Sequence, residues 1–144
     1  MKTQLKTQLF LFTFSLVMFT NCKKSDELSP ANIADKIAGN YTISTISSKG
    51  QTLTLPFTQN GQKVSGTITI AKVSTTTVSF TYALVIDSNG TKDIDTETGN
   101  LEIKQNGSAI NLYDLNNQSV PIGSFTNNVL TIDTGDSKIT SNKN

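Results

Sequence analysis

The segment TVSFTYALVID, residues 77–87, decides the fold class. The apolar side chains at every second position are Val78, Phe80, Tyr82, Leu84 and Ile86. A repeat of two is that of a β-strand, whose successive side chains point to opposite faces. Shorter runs with the same repeat precede and follow this segment. They contain Tyr41 and Ile43, Leu53 and Leu55, Ile68 and Ile70, Leu101 and Ile103, Ile110 and Leu112, Val120 and Ile122, Leu130 and Ile132, and a weak last run at Ile139. The sequence predicts an all-β domain.

Turn dipeptides separate these runs. They are Asn60-Gly61, Asn89-Gly90, Asn106-Gly107, Asn116-Asn117, Asn127-Asn128 and Gly135-Asp136. Asn-Gly supplies the two positive φ angles of a type I′ hairpin turn, so the pattern predicts an antiparallel up-and-down meander of about 8–10 strands. Such a sheet hides its edges best by closing into a barrel. A two-sheet sandwich is the alternative, although its Greek-key crossings need longer connections.

One short helix is predicted before the first strand. Ser29 is a capping residue, Pro30 suits the first helical position, and Gly39 marks the end. Ile33 and Ile37 lie four residues apart and therefore on one side of this helix, where they would plug an opening.

The head of the first strand carries a family resemblance. Gly39-Asn40-Tyr41 resembles the Gly-x-Trp opening of lipocalins, with Tyr in place of Trp, and residues 123–132 (GSFTNNVLTI) are similar to the last hairpin of small lipocalin-like lipoproteins of Bacteroidota. The resemblance covers the layout of residues 33–133 and implies a lipocalin-like barrel that can hold a small apolar ligand. The sequence departs from the family because it has no Arg to pack over the first aromatic, and no helix is predicted after the barrel.

The N-terminal residues have the pattern of a secretory signal peptide. Lys2 and Lys6 precede an apolar run at residues 9–19 (LFLFTFSLVMF), which as a helix would be about 16 Å long against the roughly 30 Å of a membrane core. A buried amphipathic helix is the alternative, but the run is apolar on every side.

Cys22 is the only cysteine, and it follows the apolar run directly. The tetrapeptide FTNC at residues 19–22 resembles the lipobox of bacterial lipoproteins, although Asn21 departs from the usual Gly, Ala or Ser. The resemblance implies that residues 1–21 are removed and that Cys22 carries acyl chains such as palmitate, two of which anchor a protein stably. A reactive thiol and a buried core cysteine are the other interpretations.

Three segments follow from this processing: a lipoprotein signal peptide at 1–21, a lipid-anchored tether at 22–28 and a barrel domain at 29–144. The tether residues 23–27 (KKSDE) resemble the Lys-plus-acidic export signal of some Bacteroidota lipoproteins, and an ordinary solvated tether is the alternative. The expected location is the cell envelope, anchored to the outer membrane, with surface exposure if the export signal operates.

The amino-acid composition argues against nucleic-acid binding and several kinds of catalytic or metal site. Loss of Lys2 and Lys6 leaves ten Lys against eleven acidic residues, so the mature chain lacks the basic stripe that nucleic acid requires. The chain has no His, which removes the usual general base at neutral pH, the Ser-His-Asp triad and His-containing zinc sites. We expect a protein that is not an enzyme and has no cofactor.

Five aromatic residues are candidates for the barrel interior: Tyr41, Phe57, Phe80, Tyr82 and Tyr113. In a lipocalin-like barrel such residues line a cavity for an apolar ligand. The alternative, which we favour, is a filled core, because an eight-stranded barrel is only just wide enough for its own side chains.

Two polar segments contain residues found in metal or catalytic sites. Residues 87–99 (DSNGTKDIDTETG) are predicted to be a solvated loop, in which Asp93, Asp95 and Glu97 form a weak calcium candidate that lacks the Gly and Glu of an EF-hand. Asp133-Thr134-Gly135 is the tripeptide of aspartic proteases, but such enzymes need two of these loops, so we predict a hairpin turn. The protein is expected to be either a binding module for a small apolar ligand or a scaffold or interaction protein whose loops or exposed strands contact another envelope component.

Overall fold

The structure, a computed structural model, describes residues 30–144. The predicted signal peptide, the lipidation site at Cys22, the tether and the Ser29 cap lie outside the described residues. The elements are α1 (Pro30–Ile37), β1 (Gly39–Ser48), β2 (Gln51–Thr54), β3 (Phe57–Gln59), β4 (Gln62–Lys72), β5 (Thr77–Ser88), β6 (Thr91–Asn106), β7 (Ala109–Asp114), β8 (Gly123–Thr126), β9 (Val129–Asp133) and β10 (Ser137–Lys143). Across this part of the chain no helix is long and apolar enough to span a membrane.

Eight strands form a closed antiparallel barrel. The ring runs β1–β10–β9–β8–β7–β6–β5–β4 and closes where β4 pairs with β1. Each ring neighbour from β4 to β10 is also the next strand along the chain, as expected of an up-and-down meander. The predicted all-β meander closed into a barrel, with one short helix before it, is confirmed, and the sandwich is excluded because the sheet closes on itself.

Strands of alternating direction place the connections at two ends of the barrel. We call the end with the β1–β2, β3–β4, β5–β6 and β9–β10 turns the top. The bottom carries α1, the β4–β5 loop, the β6–β7 and β8–β9 turns and the C-terminus. The two ends are closed differently, and this difference positions the candidate site.

The barrel wall splits near the top between β1 and β4. These strands pair only through residues 39–42 and 67–70. Above that point β1 pairs with β2 and β4 pairs with β3, so the two short strands extend the two sides of the gap. The Leu55 N–H donates to the Ser44 carbonyl at 2.8 Å, next to an irregularity in β1, and the Leu55 side chain is buried. Leu55 therefore closes the base of the gap.

Helix α1 covers the bottom. Ala34 and Ile37 are fully buried, and Ile33 packs against the core at partial exposure. Asp35, on the exposed side of the helix, forms an ion pair with Lys72 at the end of β4, with 2.9 Å between the charged atoms. The apolar stripe predicted from Ile33 and Ile37 thus plugs the lower opening of the barrel.

Tyr41 joins the helix to the barrel core. Its side chain is fully buried, its hydroxyl donates to the Ile37 carbonyl, and its ring meets Phe125 edge-on at 6.1 Å between centroids. Lys143 of β10 lies over the same Phe125 ring, and its ammonium donates to the Lys36 carbonyl at 2.8 Å. A lysine from the last strand therefore braces the helix in a chain that has no arginine to do so.

The predicted Asn-containing turns are largely confirmed. Asn60-Gly61, Asn89-Gly90 and Asn127-Asn128 each have positive φ at both residues, as a type I′ turn requires. The structure adds Lys49-Gly50, which has the same geometry and joins β1 to β2. Lys is not a typical residue at positive φ, so propensity gave no signal for this hairpin.

Two strand boundaries differ from the prediction. Residues 91–99 are the first part of β6 and not a loop, because a tight turn at Asn89-Gly90 folds them back along the apolar strand β5. Val120 and Ile122 were predicted to lie on a strand, but β8 begins at Gly123 and Val120 is 62% exposed in the β7–β8 loop. Pro121, which cannot donate a ladder hydrogen bond, separates the two.

Candidate functional site

The inner wall of the barrel is buried at the bottom and partly exposed at the top. Ile68 and Ile70 on β4 are each 2% exposed, whereas Val64, higher on the same face, is only half-buried. The same change occurs on β5, where Val78 is fully buried and Leu84 is half-buried. The core therefore continues upward into an apolar surface that solvent reaches.

The register defines this surface. Val64 pairs with Phe57 on one side and Ile86 on the other, Gly66 pairs with Leu84, and Ile68 with Tyr82. Paired residues of antiparallel strands share a face, so these side chains lie on the face that buries Ile68. We call Phe57, Val64, Tyr82, Leu84 and Ile86 the mouth surface.

A row of carboxylates borders the mouth surface. Asp93 lies opposite Ile86, Asp95 opposite Leu84 and Glu97 opposite Tyr82. All three acidic residues are exposed. We call Asp93, Asp95 and Glu97 the carboxylate row. Partial burial raises the pKa of Tyr82, and the negative charges of Asp95 and Glu97 raise it further, as expected for a phenol beside this row.

Two of the five predicted aromatic residues lie on the mouth surface, and two are placed lower. Phe57 and Tyr82 belong to the mouth surface. Phe80 lies one step down and covers Gly99, where an added Cβ would come within 2.5 Å of the Phe80 ring. Tyr41 lies in the bottom core, where its ring and hydroxyl are already engaged. Filling of the core accounts for Tyr41, which was the favoured alternative for these aromatics.

Tyr113 faces outward, in contrast to its predicted inward position. It pairs with Glu102, its neighbour Leu112 is fully buried, and Lys104 lies 4.9 Å above its ring. The repeat of two from Ile110 to Leu112 carries the inward face, so Tyr113 takes the opposite face by alternation. That alternation was readable in the sequence.

The two polar segments behave as structural elements. Asp93, Asp95 and Glu97 follow one another along a strand at roughly 7 Å steps, and no cluster of three or more His, Cys, Asp or Glu that could hold a metal occurs in the described residues. Asp133 accepts a hydrogen bond from the Gly135 N–H at 3.0 Å, and Gly135 has φ of +87°. The predicted hairpin turn at Asp133-Thr134-Gly135 is confirmed.

Two open concave sites lie at the top rim, outside the predicted set. One, of about 430 Å³, lies between residues 120–122 and 133–135, and the other, of about 260 Å³, between residues 47–50 and 135–138. Neither is lined by the predicted aromatic residues. The only sequence signal for the first was the pair of apolar residues Val120 and Pro121 in a polar loop.

Comparison with known proteins leaves the chain without a matched relative. No protein-family model matches it, no curated protein matches it, and no solved structure matches it. The lipocalin resemblance therefore rests on the barrel opening at Gly39-Asn40-Tyr41 and on the last hairpin, and the proposals about function rest on the geometry of the barrel.

Proposed function

We propose that this protein is a lipid-anchored, non-enzymatic binding protein of the cell envelope whose barrel mouth holds a small apolar ligand. The observation that carries the proposal is the exposure of the mouth surface. Phe57, Tyr82 and Leu84 are half-buried on the inner face at the open end, while the other end is plugged by α1.

The mouth surface has the apolar character of a ligand site. Ligand sites are concave and mostly apolar, with a few polar groups that orient the ligand. The mouth surface continues from the core, and the Tyr82 hydroxyl and the carboxylate row supply polar groups at its border. Each 100 Å² of apolar area that a ligand covers would contribute roughly 2.5 kcal/mol before the cost of immobilising the ligand.

The envelope location is supported by the N-terminal sequence. A short apolar run ends at the only cysteine, and a charged tether separates that cysteine from the barrel. With the anchor at the N-terminus, α1 and the bottom of the barrel are the described parts that follow the tether in sequence, and the mouth lies at the opposite end. An anchored barrel would thus present its mouth away from the attachment point.

The test is the binding of an apolar fluorescent probe, N-phenyl-1-naphthylamine, to a soluble form that starts at Lys23. This form contains α1 and all ten described strands. Leu84→Ser should weaken probe binding roughly two- to fivefold, because only the exposed minor part of the leucine side chain, worth roughly 0.5–1 kcal/mol, remains to be buried by the ligand.

Val85→Ser is the matched control. Val85 is the next residue on β5, is also half-buried and pairs with Ser65 and Ile94 on the outer face. The Val85→Ser variant should lose about as much stability as Leu84→Ser, without a change in probe affinity. Equal effects of the two substitutions on probe binding, or no binding by the wild type, would reject the mouth as a ligand site.

A further inference from the structure

The first part of β6 has an edge that no described strand covers. β6 pairs with β5 through residues 91–102 but with β7 only through residues 101–106. Residues 91–100 therefore have a strand neighbour on one side alone within the described part of the chain. Residues 91–98 are all exposed. An unpaired edge of this length is a ready template for another strand.

The backbone groups that face this edge can be identified. The Ile103 N–H donates to the Thr76 carbonyl beside β5, and Thr91 pairs with Ser88 across a two-residue turn. Odd-numbered residues of β6 therefore direct their N–H and C=O groups toward β5, since these directions alternate along an antiparallel strand. The residues that direct theirs toward the free edge are Lys92, Ile94, Thr96, Thr98 and Asn100.

Side-chain directions add a charge pattern to this edge. The odd-numbered residues place the carboxylate row on the inner face, beside the position that an added strand would take. On the outer face the edge offers Ile94, which is 58% exposed. An added strand would thus meet three negative charges at alternate positions on one face, and Lys92 and the apolar Ile94 on the other, so its own cations belong on the inner face.

The same pattern disfavours a second copy of this chain. If two β6 edges paired in antiparallel fashion around Thr96, Asp95 of one copy would lie opposite Glu97 of the other. Like charges directly opposite each other destabilise a strand pair. Inward-pointing charges of this kind are a known means by which sheet edges avoid self-association. The occupant of the edge must therefore carry a complementary charge.

We propose that the free edge of β6 at residues 91–100 binds an extended segment of a different polypeptide, in which Lys or Arg residues alternate with neutral residues. Main-chain hydrogen bonds to the five edge residues supply affinity, and the carboxylate row selects the cations. This site adjoins the proposed ligand site and shares the carboxylate row with it, but its affinity comes from the backbone edge of β6 and not from the apolar side chains of the mouth surface.

The test uses two synthetic peptides with blocked ends and the soluble form that starts at Lys23. In one peptide Lys alternates with Thr, and in the other the same residues are arranged with the lysines contiguous. The alternating peptide should bind more tightly and should slow amide hydrogen exchange at Ile94, Thr96 and Thr98. Asp95→Asn should weaken it roughly two- to fivefold, the range of one exposed ion pair.

Thr96→Pro tests the edge itself. Proline removes one edge-facing N–H and is tolerated where that group faces solvent, so the variant should keep the fold and lose at least about tenfold in peptide affinity. Thr96→Ala is the matched control and should bind as the wild type does. If Thr96→Pro unfolds, the Asp95→Asn affinity and the hydrogen-exchange measurements still decide whether the peptide binds at the β6 edge.

Several results would overturn the proposal. Equal binding of the two peptides would show that net charge alone attracts them. Unchanged exchange at Ile94, Thr96 and Thr98 in the presence of bound peptide would place the peptide elsewhere. Dimerisation of the chain that Thr96→Pro abolishes, measured by sedimentation, would assign the edge to a second copy.

Discussion

Tyr41→Phe isolates the contribution of one hydroxyl group to the helix plug. The substitution keeps the buried ring and its edge-on contact with Phe125, and it removes the O–H that donates to the Ile37 carbonyl at the end of α1. A buried acceptor that loses its donor costs about 1–3 kcal/mol. For a domain of this size, each kcal/mol lowers the Tm by roughly 4–5 °C. We expect a loss of about 1–3 kcal/mol in the free energy of unfolding.

Tyr113→Phe makes the same chemical change on the outer face. The Tyr113 ring lies under Lys104, and its hydroxyl forms no hydrogen bond with the described residues. Tyr113→Phe should change the free energy of unfolding by less than about 0.5 kcal/mol. Urea unfolding of both variants, followed by circular dichroism, gives the two free energies. If Tyr41→Phe is no more destabilising than Tyr113→Phe, the bond to Ile37 does not hold the helix in place.

Three further changes test other parts of the structure. Burial raises the pKa of Tyr41, so on raising the pH the unfolded chain loses this phenolic proton before the folded chain does, and the free energy of unfolding should fall above about pH 10. The urea midpoint of the wild type should therefore be lower at alkaline than at neutral pH, and the difference should be smaller in Tyr41→Phe. Gly123→Ala would place a Cβ 2.6 Å from the Thr131 carbonyl oxygen and should cost about 1–3 kcal/mol, whereas Ser124→Ala on the other face should cost less, as thermal unfolding would reveal. Cys22→Ala should move the protein from the membrane fraction to the soluble fraction, and retention in the membrane fraction would disprove lipid anchoring.

The sequence predicted the strands whose two faces differ in polarity. TVSFTYALVID became β5, and three of the predicted Asn-containing turns became type I′ hairpins, because both signals are local and do not depend on the rest of the chain. Closure was inferred from the number of strands and the shortness of their connections. The pairing that closes the ring, between residues 39–42 and 67–70, is not visible in any local pattern.

Residues 91–99 show why one long strand segment was not predicted from the sequence. Asp, Thr and Gly are poor strand residues, so composition predicted a loop. The Asn89-Gly90 turn, however, fixes the register, and nine residue pairs with the apolar strand β5 hold the segment extended. Tertiary pairing overrode propensity. Together, the turn and the length of β5 place the carboxylates opposite Tyr82, Leu84 and Ile86.

The candidate site was only partly predictable for a related reason. Phe57, Phe80 and Tyr82 follow from alternation, but which of them reaches solvent depends on how high the barrel wall stays closed. Tyr41 gave the same sequence signal as Tyr82, yet it lies against α1 at the bottom of the barrel and is fully buried. Depth along the barrel axis is set by strand register around the ring, which a single sequence does not show.

The carboxylate row explains where the barrel opens. Asp93, Asp95 and Glu97 lie on the same face of β6 as the buried Leu101 and Ile103. If β7 continued alongside them and closed the wall, three carboxylates would face an apolar interior, and each unpaired buried charge would cost several kcal/mol. β7 instead ends opposite Leu101, below the first of these acids. The acidic residues thus require an open, solvated upper wall, and that requirement creates both the exposed mouth surface and the free edge of β6.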